Sequence, residues 1–352
     1  MSESPSQQLL ETIRHALHVQ GIRPLERVQS LWSGYGAIWR LEVASAISKV
    51  ELGPPVPIEE CSIIVKHVHP PSAQYHPRGW SSDFSHERKL ESYRVERCWY
   101  EKFALMCDSD CRVPRAFWLQ EHEGSWIFVL EDLDAQGFSE RLTTLSEERM
   151  KDCLSWLAHF HARFLRVNSK GLWPIGSYWH LATRPDEFEV MGDQVLKNAA
   201  GAIDLKLNRA RYQTLIHGDA KVANFCFRPL NHLPPKQGEL NLTNVAAVDF
   251  QYVGTSVGVK DVAYFLSSCL NERECELYGE KWLNFYFKVL IERVSELAPS
   301  INGGELEEEW RALYAFAWAD FVRFLNGWAP EHYKVHGYSE RMTQAALASL
   351  GG

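Results

Sequence analysis

In the run HGDAKVAN, from His217 to Asn224, a carboxylate (Asp219), an ammonium (Lys221) and a side-chain amide (Asn224) fall within six residues. Thirty residues beyond Asp219, the apolar stretch NVAAV leads into a second carboxylate, Asp249, where a strand meets a loop. A carboxylate set beside a hydroxyl can take up its proton as the oxygen attacks. Magnesium favours one or two carboxylate or amide oxygens together with phosphate oxygens, and Asn224 and Asp249 offer that donor set. Phosphoryl transfer asks little more of a protein than phosphates held, metal fixed and the attacking hydroxyl aimed in line.

Such side chains need a scaffold, and the sequence predicts one in two parts. Leu9, Leu10, Ile13, Ala16 and Leu17 recur at helical spacing over residues 7–19. VQSLWSGYGAIWRLEVAS then reads as two strands around a turn at Gly34 and Gly36, and CSIIVKHV (61–68) as a third, with the proline-rich connection ELGPPVPIEE between them. A helix is predicted from His86 to Met106, and strands at RAFWLQ and at SWIFVL, the latter leading into Glu131-Asp132-Leu133. Beyond this point helices dominate. LSEERMKDCLSWLAHFHARFL (145–165) carries a strong apolar stripe behind Ser146, with Arg149 where a capping box would place Glu, and the chain after Asp261 is mostly helical. A β-rich part followed by an α-rich part predicts an α+β protein of two lobes, 1–133 and 134–352.

Composition narrows the function. The 352 residues suffice for two cores, and the apolar and charged fractions are those of a soluble globular chain. A net charge of −8 argues against nucleic-acid or anionic-membrane partners, which need a basic face. No apolar run is long enough to span a bilayer, and MSESPSQQLLETIRHAL lacks the features of a signal peptide, so the cytoplasm is the expected location. Eight scattered cysteines, at 61, 98, 107, 111, 153, 226, 269 and 275, show no zinc-site spacing. The pairs His67/His69 and His159/His161 lack a third ligand nearby and read as surface and packing residues.

HGDAKVANFCF together with VDFQ resembles the aminoglycoside phosphotransferase and choline kinase-like superfamily, nearest its ecdysteroid kinase-like branch, whose motifs run HGD-x-x-x-x-N and DFQ. The resemblance extends over roughly residues 25–330. It implies a bilobal protein-kinase-like fold, ATP and Mg2+ as cofactors, and a small hydroxyl-bearing molecule as acceptor, with no obligate protein partner. On that resemblance Asp219 would be the catalytic base and Asn224 and Asp249 the metal ligands, with His217 and Asp261 bracing the loop. For Asp261, which opens the helix KDVAYFL, an N-cap role is the alternative. Lys221 matches the position of a lysine that faces the γ-phosphate, and Lys66 in IIVK matches the lysine that holds the α- and β-phosphates. Glu96 fits the partner of Lys66, with Glu87, Glu91 and Glu101 as competitors. Glu131 and Leu133 would meet adenine through their backbones, and Gly34 and Gly36 would let the loop approach the phosphates, although Trp39 stands where the third glycine of that pattern belongs.

The acceptor class follows from what is missing. Asp249 and Asp261 are only twelve residues apart, no A-P-E follows, and Gln251 and Gly218 replace the glycine and arginine of protein kinases. A small molecule therefore fits better than a peptide. The helix EEEWRALYAFAWADFVRFLNGWAP is apolar nearly all round, so Asp320 within it, with Trp318 or Trp328, is a candidate acceptor contact; pairing of Asp320 with a base such as Arg323 is the alternative. Its aromatic residues suit either a quaternary amine or an apolar ring system. The competing function is a catalytically inactive kinase-fold protein that binds nucleotide or ligand, against which the presence of Asp219, Asn224 and Asp249 counts.

Overall fold

The computed structural model describes residues 4–31, 34–44, 61–70, 83–230 and 243–351; the proline-rich connection expected at 51–60 lies outside them. The chain is an α+β protein, as its sequence predicts. The described residues fall into two compact units, one drawn from 1–106, 113–140 and 228–232, the other from 107–112, 141–227 and 233–352.

The first unit is built on an antiparallel sheet of five strands, β1 (Gly21–Ser30), β2 (Gly36–Ala44), β3 (Cys61–Val68), β4 (Ala116–His122) and β5 (Ser125–Glu131), in the order β1-β2-β3-β5-β4. Strand side chains alternate between faces, so GAIWRLEVA turns Ala37, Trp39, Leu41 and Val43 to one side. There they join Ile63, Val65, Phe117 and Val129 in a core closed by Leu9, Leu10, Ile13 and Leu17 of helix α1 (Gln7–Leu17). Ser6 starts that helix by accepting the Leu9 N–H at 3.2 Å. Lys66, one residue out of phase with Val65, points to the opposite face, where helix α2 (Asp83–Cys98) supplies its partner. The helix predicted over 86–106 is an α-helix only as far as Cys98. It continues as a wider π turn, Trp99–Phe103, that buries Trp99, Tyr100 and Phe103, and then as a 3₁₀ turn, Ala104–Met106.

The second unit is mostly helical, with α3 (Glu147–Arg163), α4 (Pro185–Glu189), α5 (Gln194–Asn208), α6 (Val259–Cys269), α7 (Glu272–Leu297), α8 (Gly303–Trp328) and α9 (Gly337–Gly351). Ser146 caps α3 through the Arg149 N–H, whereas α7 carries the full reciprocal box of Asn271 and Glu274. Helix α8 is buried on most of its circumference and packs against α5, α6 and α9. Two short antiparallel ladders complete the unit: β6 (Thr214–Ile216) with β9 (Gly254–Ser256), and β7 (Phe225–Phe227) with β8 (Val245–Ala247). Their consequence for the site is direct. Residues 217–224 link β6 to β7, residues 248–253 link β8 to β9, and the ladders hold these two loops side by side. Among the described residues no helix is long and apolar enough to cross a membrane.

Candidate active site

The loop that starts at His217 is fixed by its own backbone. Asp261, fully buried in the first turn of α6, accepts the N–H of His217 (2.6 Å) and of Gly218 (3.0 Å) on its two oxygens. The N-cap of α6 is Gly258, not Asp261, so this carboxylate serves the loop rather than its own helix. His161 of α3 lies 3.2 Å from the same carboxylate through Nε2, while its Nδ1 accepts from Tyr286 Oη at 2.8 Å; this histidine does more than pack. Gly218 has φ +77°, and a Cβ there would lie 2.2 Å from the Tyr252 carbonyl, so only glycine lets the two loops cross.

His217 ties the loops together. Its Nδ1 accepts the Asp219 N–H (3.2 Å), which leaves the ring proton on Nε2 to be donated to the Val248 carbonyl (2.9 Å). The Val248 N–H in turn donates to the Asn224 carbonyl at 2.9 Å. With both polar groups of Val248 engaged, the next residue, Asp249, is held at φ +69°, a conformation rare outside glycine that persists where neighbours over-determine it. Gln251 donates to Asp249 Oδ1 at 2.8 Å.

The Asp219 carboxylate gathers three donors: Lys221 Nζ (2.9 Å) and Asn224 Nδ2 (3.1 Å) at Oδ2, and Tyr264 Oη (3.1 Å) at Oδ1. Burial lowers the pKa of Lys221, but the adjoining Asp219 carboxylate outweighs it and the net shift is upward. Its side chain is 40 % exposed, so the ammonium is reachable from solvent. Burial raises the pKa of Tyr264, as does the nearby Asp219 charge, so its hydroxyl stays a donor.

Asn224 directs its amide nitrogen at the Asp219 backbone carbonyl (2.8 Å) and carboxylate, which leaves the amide oxygen for a cation. Asp249, one residue past Val248, adds a carboxylate. Among the described residues no three His, Cys, Asp or Glu side chains form a metal cage, but magnesium held with nucleotide phosphates needs only one or two protein oxygens. The donor set of Asn224 and Asp249 fits that ion.

In the first unit, Lys66 Nζ donates to both carboxylate oxygens of Glu96, at 2.9 and 2.6 Å, with both side chains buried. The rings of Tyr93 and Phe128 stand 5.5 and 5.7 Å from the ammonium. Glu96 is thus the helix partner of Lys66. At the end of β5, Glu131 donates its N–H to the Arg115 carbonyl (2.8 Å), and just past it the Leu133 carbonyl accepts from Gln136 and Phe138. The Leu133 N–H donates to no described backbone group. Gly34 is open, with nothing near a built Cβ, but at Gly36 a Cβ would meet the His67 carbonyl at 2.1 Å. Pairing of β2 with β3 therefore itself requires glycine at 36.

A cavity of about 340 Å³ opens in the second unit, lined by Asp219 and Lys221, by Tyr178, Tyr252 and Tyr264, and by Trp328 and Lys334. Trp328 is where an acceptor contact was expected; Asp320 and Trp318 are not. Asp320 is fully buried, paired with Arg323 (2.9 Å) and Lys260 (3.0 Å), and accepts from Trp179 Nε1 (3.1 Å). Burial alone would raise its pKa, but the two bases hold it below the usual carboxylate range. Trp318 is buried against Tyr338, ring centroids 5.3 Å apart. Neither lines the cavity, and their expected acceptor role fails on that placement. Sequence reasoning missed Tyr178, Tyr264 and Lys334. Tyr264 sits three residues after Asp261 on α6 and could have been placed by helical spacing; Lys334 lies in an irregular stretch with no periodic signal.

The model of the ecdysteroid kinase-like family matches residues 177–298. Comparison with curated proteins finds no match. Among solved structures, the chain is similar to an amicoumacin kinase in complex with AMP-PNP and Ca2+, at 11 % identity and TM-score 0.47, over 99 % of this chain and 93 % of the other. It is also similar to a choline kinase from Streptococcus pneumoniae, at 15 % identity and TM-score 0.42, over 97 % and 98 % of the two chains. The family resembled by the HGD and DFQ runs is the family whose model this chain matches, across residues 177–298.

Proposed function

We propose that this protein is an ATP- and magnesium-dependent phosphotransferase that acts on a hydroxyl of a small molecule. The observation that carries the reading is the company of Asp219: a carboxylate at the edge of a cavity, in contact with Lys221 and Asn224, on a loop bonded to the one bearing Asp249. Asp219 accepts the proton of the acceptor hydroxyl as the hydroxyl oxygen bonds to the γ-phosphorus and the bond from that phosphorus to the bridging oxygen of ADP breaks, releasing ADP. Lys221, on a long and partly exposed stem, leaves Asp219 to meet the charge of the transferring group. The Asn224 amide oxygen and the Asp249 carboxylate would hold magnesium, which supplies charge neutralisation on the phosphates. His217 and Asp261 keep the loop backbone in place. Residues 1–133 serve the nucleotide: Lys66, oriented by Glu96, for its phosphates, Glu131 and Leu133 for its base, and the turn at Gly34 and Gly36 as cover. Residues 134–352 supply the chemistry and the acceptor site. The scattered thiols fit work in the cytoplasm.

A screen of small alcohols for ADP release from Mg-ATP tests this, with Asp219→Asn as control. The variant should lose kcat on the order of a hundred- to ten-thousand-fold while ATP affinity changes little. Asp249→Asn should weaken magnesium and ATP together. Equal losses of nucleotide affinity in the two variants would contradict the roles, and a screen with no alcohol above the control would leave a binding protein without turnover.

A further inference from the structure

Lys334 is the least explained charge in the second unit. It is only 7 % exposed, yet among the described residues its ammonium has no ion pair and no hydrogen bond. What surrounds it is aromatic: the rings of Tyr264, Phe321 and Tyr333 lie 4.7, 5.4 and 6.0 Å from Nζ. Its side chain lines the same cavity as Asp219 and Lys221. Enclosing an ammonium with no direct ion-pair partner is costly: burial lowers its pKa to about 8 against the opposing charge of Asp219, so at neutral pH it remains mostly charged.

The other charges in the cavity do not compensate it. Asp219 is already matched by Lys221 at 2.9 Å, and burial together with Lys334 lowers the pKa of His332, which favours its neutral form. The side chains that line the cavity thus set two ammonium groups against one carboxylate. The same rings that would have stacked on a quaternary amine already face the Lys334 ammonium, so a cationic acceptor would meet repulsion where it needed attraction.

We propose that Lys334 is an acceptor-binding residue and that the acceptor is an alcohol with an apolar, ring-like body and an anionic group, the anion meeting Lys334 Nζ and the body lying against the aromatic walls. Tyr178, Tyr252 and Trp328 supply those walls. The proposal rests on the phosphotransferase reading for the identity of the cavity, but its test does not need turnover. Three matched aryl alcohols serve as probes: para-(hydroxymethyl)benzoate, its carboxamide, and para-(hydroxymethyl)benzylamine. Calorimetric titration without nucleotide should show the benzoate binding about tenfold or more tightly than the carboxamide, the span of one charge-assisted hydrogen bond, and the amine binding weakest.

Lys334→Met should remove that preference, Lys334→Arg should keep most of it, and ATP affinity should be unchanged in both. A wild type that binds the benzoate no better than the carboxamide overturns the proposal, as does a Lys334→Met variant that keeps the preference. A loss of ATP affinity in Lys334→Met with the probe preference intact would reassign the residue to the nucleotide phosphates. If the preference is found but neither the benzoate nor any alcohol in the screen releases ADP from Mg-ATP above the Asp219→Asn control, the phosphotransferase reading fails while the anion site stands.

Discussion

Replacement of Asp261 by Asn probes the loop at its root. The wild-type carboxylate is fully buried and accepts two backbone N–H groups, from His217 at 2.6 Å and Gly218 at 3.0 Å, beside His161 Nε2 at 3.2 Å. Asparagine fits the same space but keeps one acceptor oxygen and turns an NH2 toward a donor. One buried N–H is then left unsatisfied, at about 1–3 kcal/mol, and the remaining bonds lose their charge assistance, at about 1 kcal/mol more. The expected loss is about 3 kcal/mol, a large share of a total that for most domains is about 5–15 kcal/mol. Urea denaturation followed by tryptophan fluorescence reads the stability. Hydrogen exchange at the His217 and Gly218 amides reads the cause, since both should exchange far faster in the variant under native conditions. A stability change below about 0.5 kcal/mol, or unaltered exchange at those two amides, would refute the role given to this carboxylate.

Lys66→Met should destabilise by about 3–5 kcal/mol because it strands the Glu96 charge in a buried site. Adding Glu96→Leu should restore most of that stability but not nucleotide affinity, which equilibrium unfolding and ATP titration separate. Lys334→Met should stabilise the fold at neutral pH by up to about 3 kcal/mol, the equivalent of a pKa moved from 10.5 to about 8. The native state gives up this proton first, so wild-type stability rises with pH between about 8 and 10.5 and the advantage of the variant fades across that window; Asp219, Lys221, Tyr264, Cys269, His332 and Tyr333 are the titratable groups that face it. A gap in melting temperature that stays constant with pH would refute this. Asp320→Asn should leave acceptor KM unchanged while destabilising the fold. Because its carboxyl is held below the usual value of 3.8, the deficit of the variant should be full at neutral pH and shrink as pH falls below about 4, as acid titration of the melting temperature will show.

The parts of the fold that the sequence exposes are those with local rules. Alternation in GAIWRLEVA, helical spacing in QLLETIRHAL and the Ser146 cap are each settled within a few residues, and the structure has β2, α1 and α3 there. The order of polar residues in HGDAKVAN is local too. What binds them is not: the Val248 N–H meets the Asn224 carbonyl only because β7 pairs with β8. Helix α2 ends early because three large aromatic side chains are buried in a wider turn, which composition alone does not indicate. Asp320 shows the limit from the other side. Its apolar neighbours mark it as buried, but its partner Lys260 lies far away in sequence on α6, and only tertiary packing turns it toward α8. Lys334 carries no signal at all, since a lysine in an aperiodic stretch looks the same whether it is solvated or enclosed.

Lys260 and Asp261 follow one another on the first turn of α6 and point roughly 100° apart. One is paired with α8 through Asp320, the other with the HGD loop. The loop that carries Asp219 and the helix that walls the cavity are thus indexed to a single turn of chain. Phe321 and Leu325 of α8 face the cavity and pack in one buried cluster with Trp179 and Tyr264, while Asp320 keeps the helix in register. A shift in the seat of α8 would therefore reach Asp219 through one turn of α6, so the shape of the cavity and the placing of its carboxylate are mechanically linked.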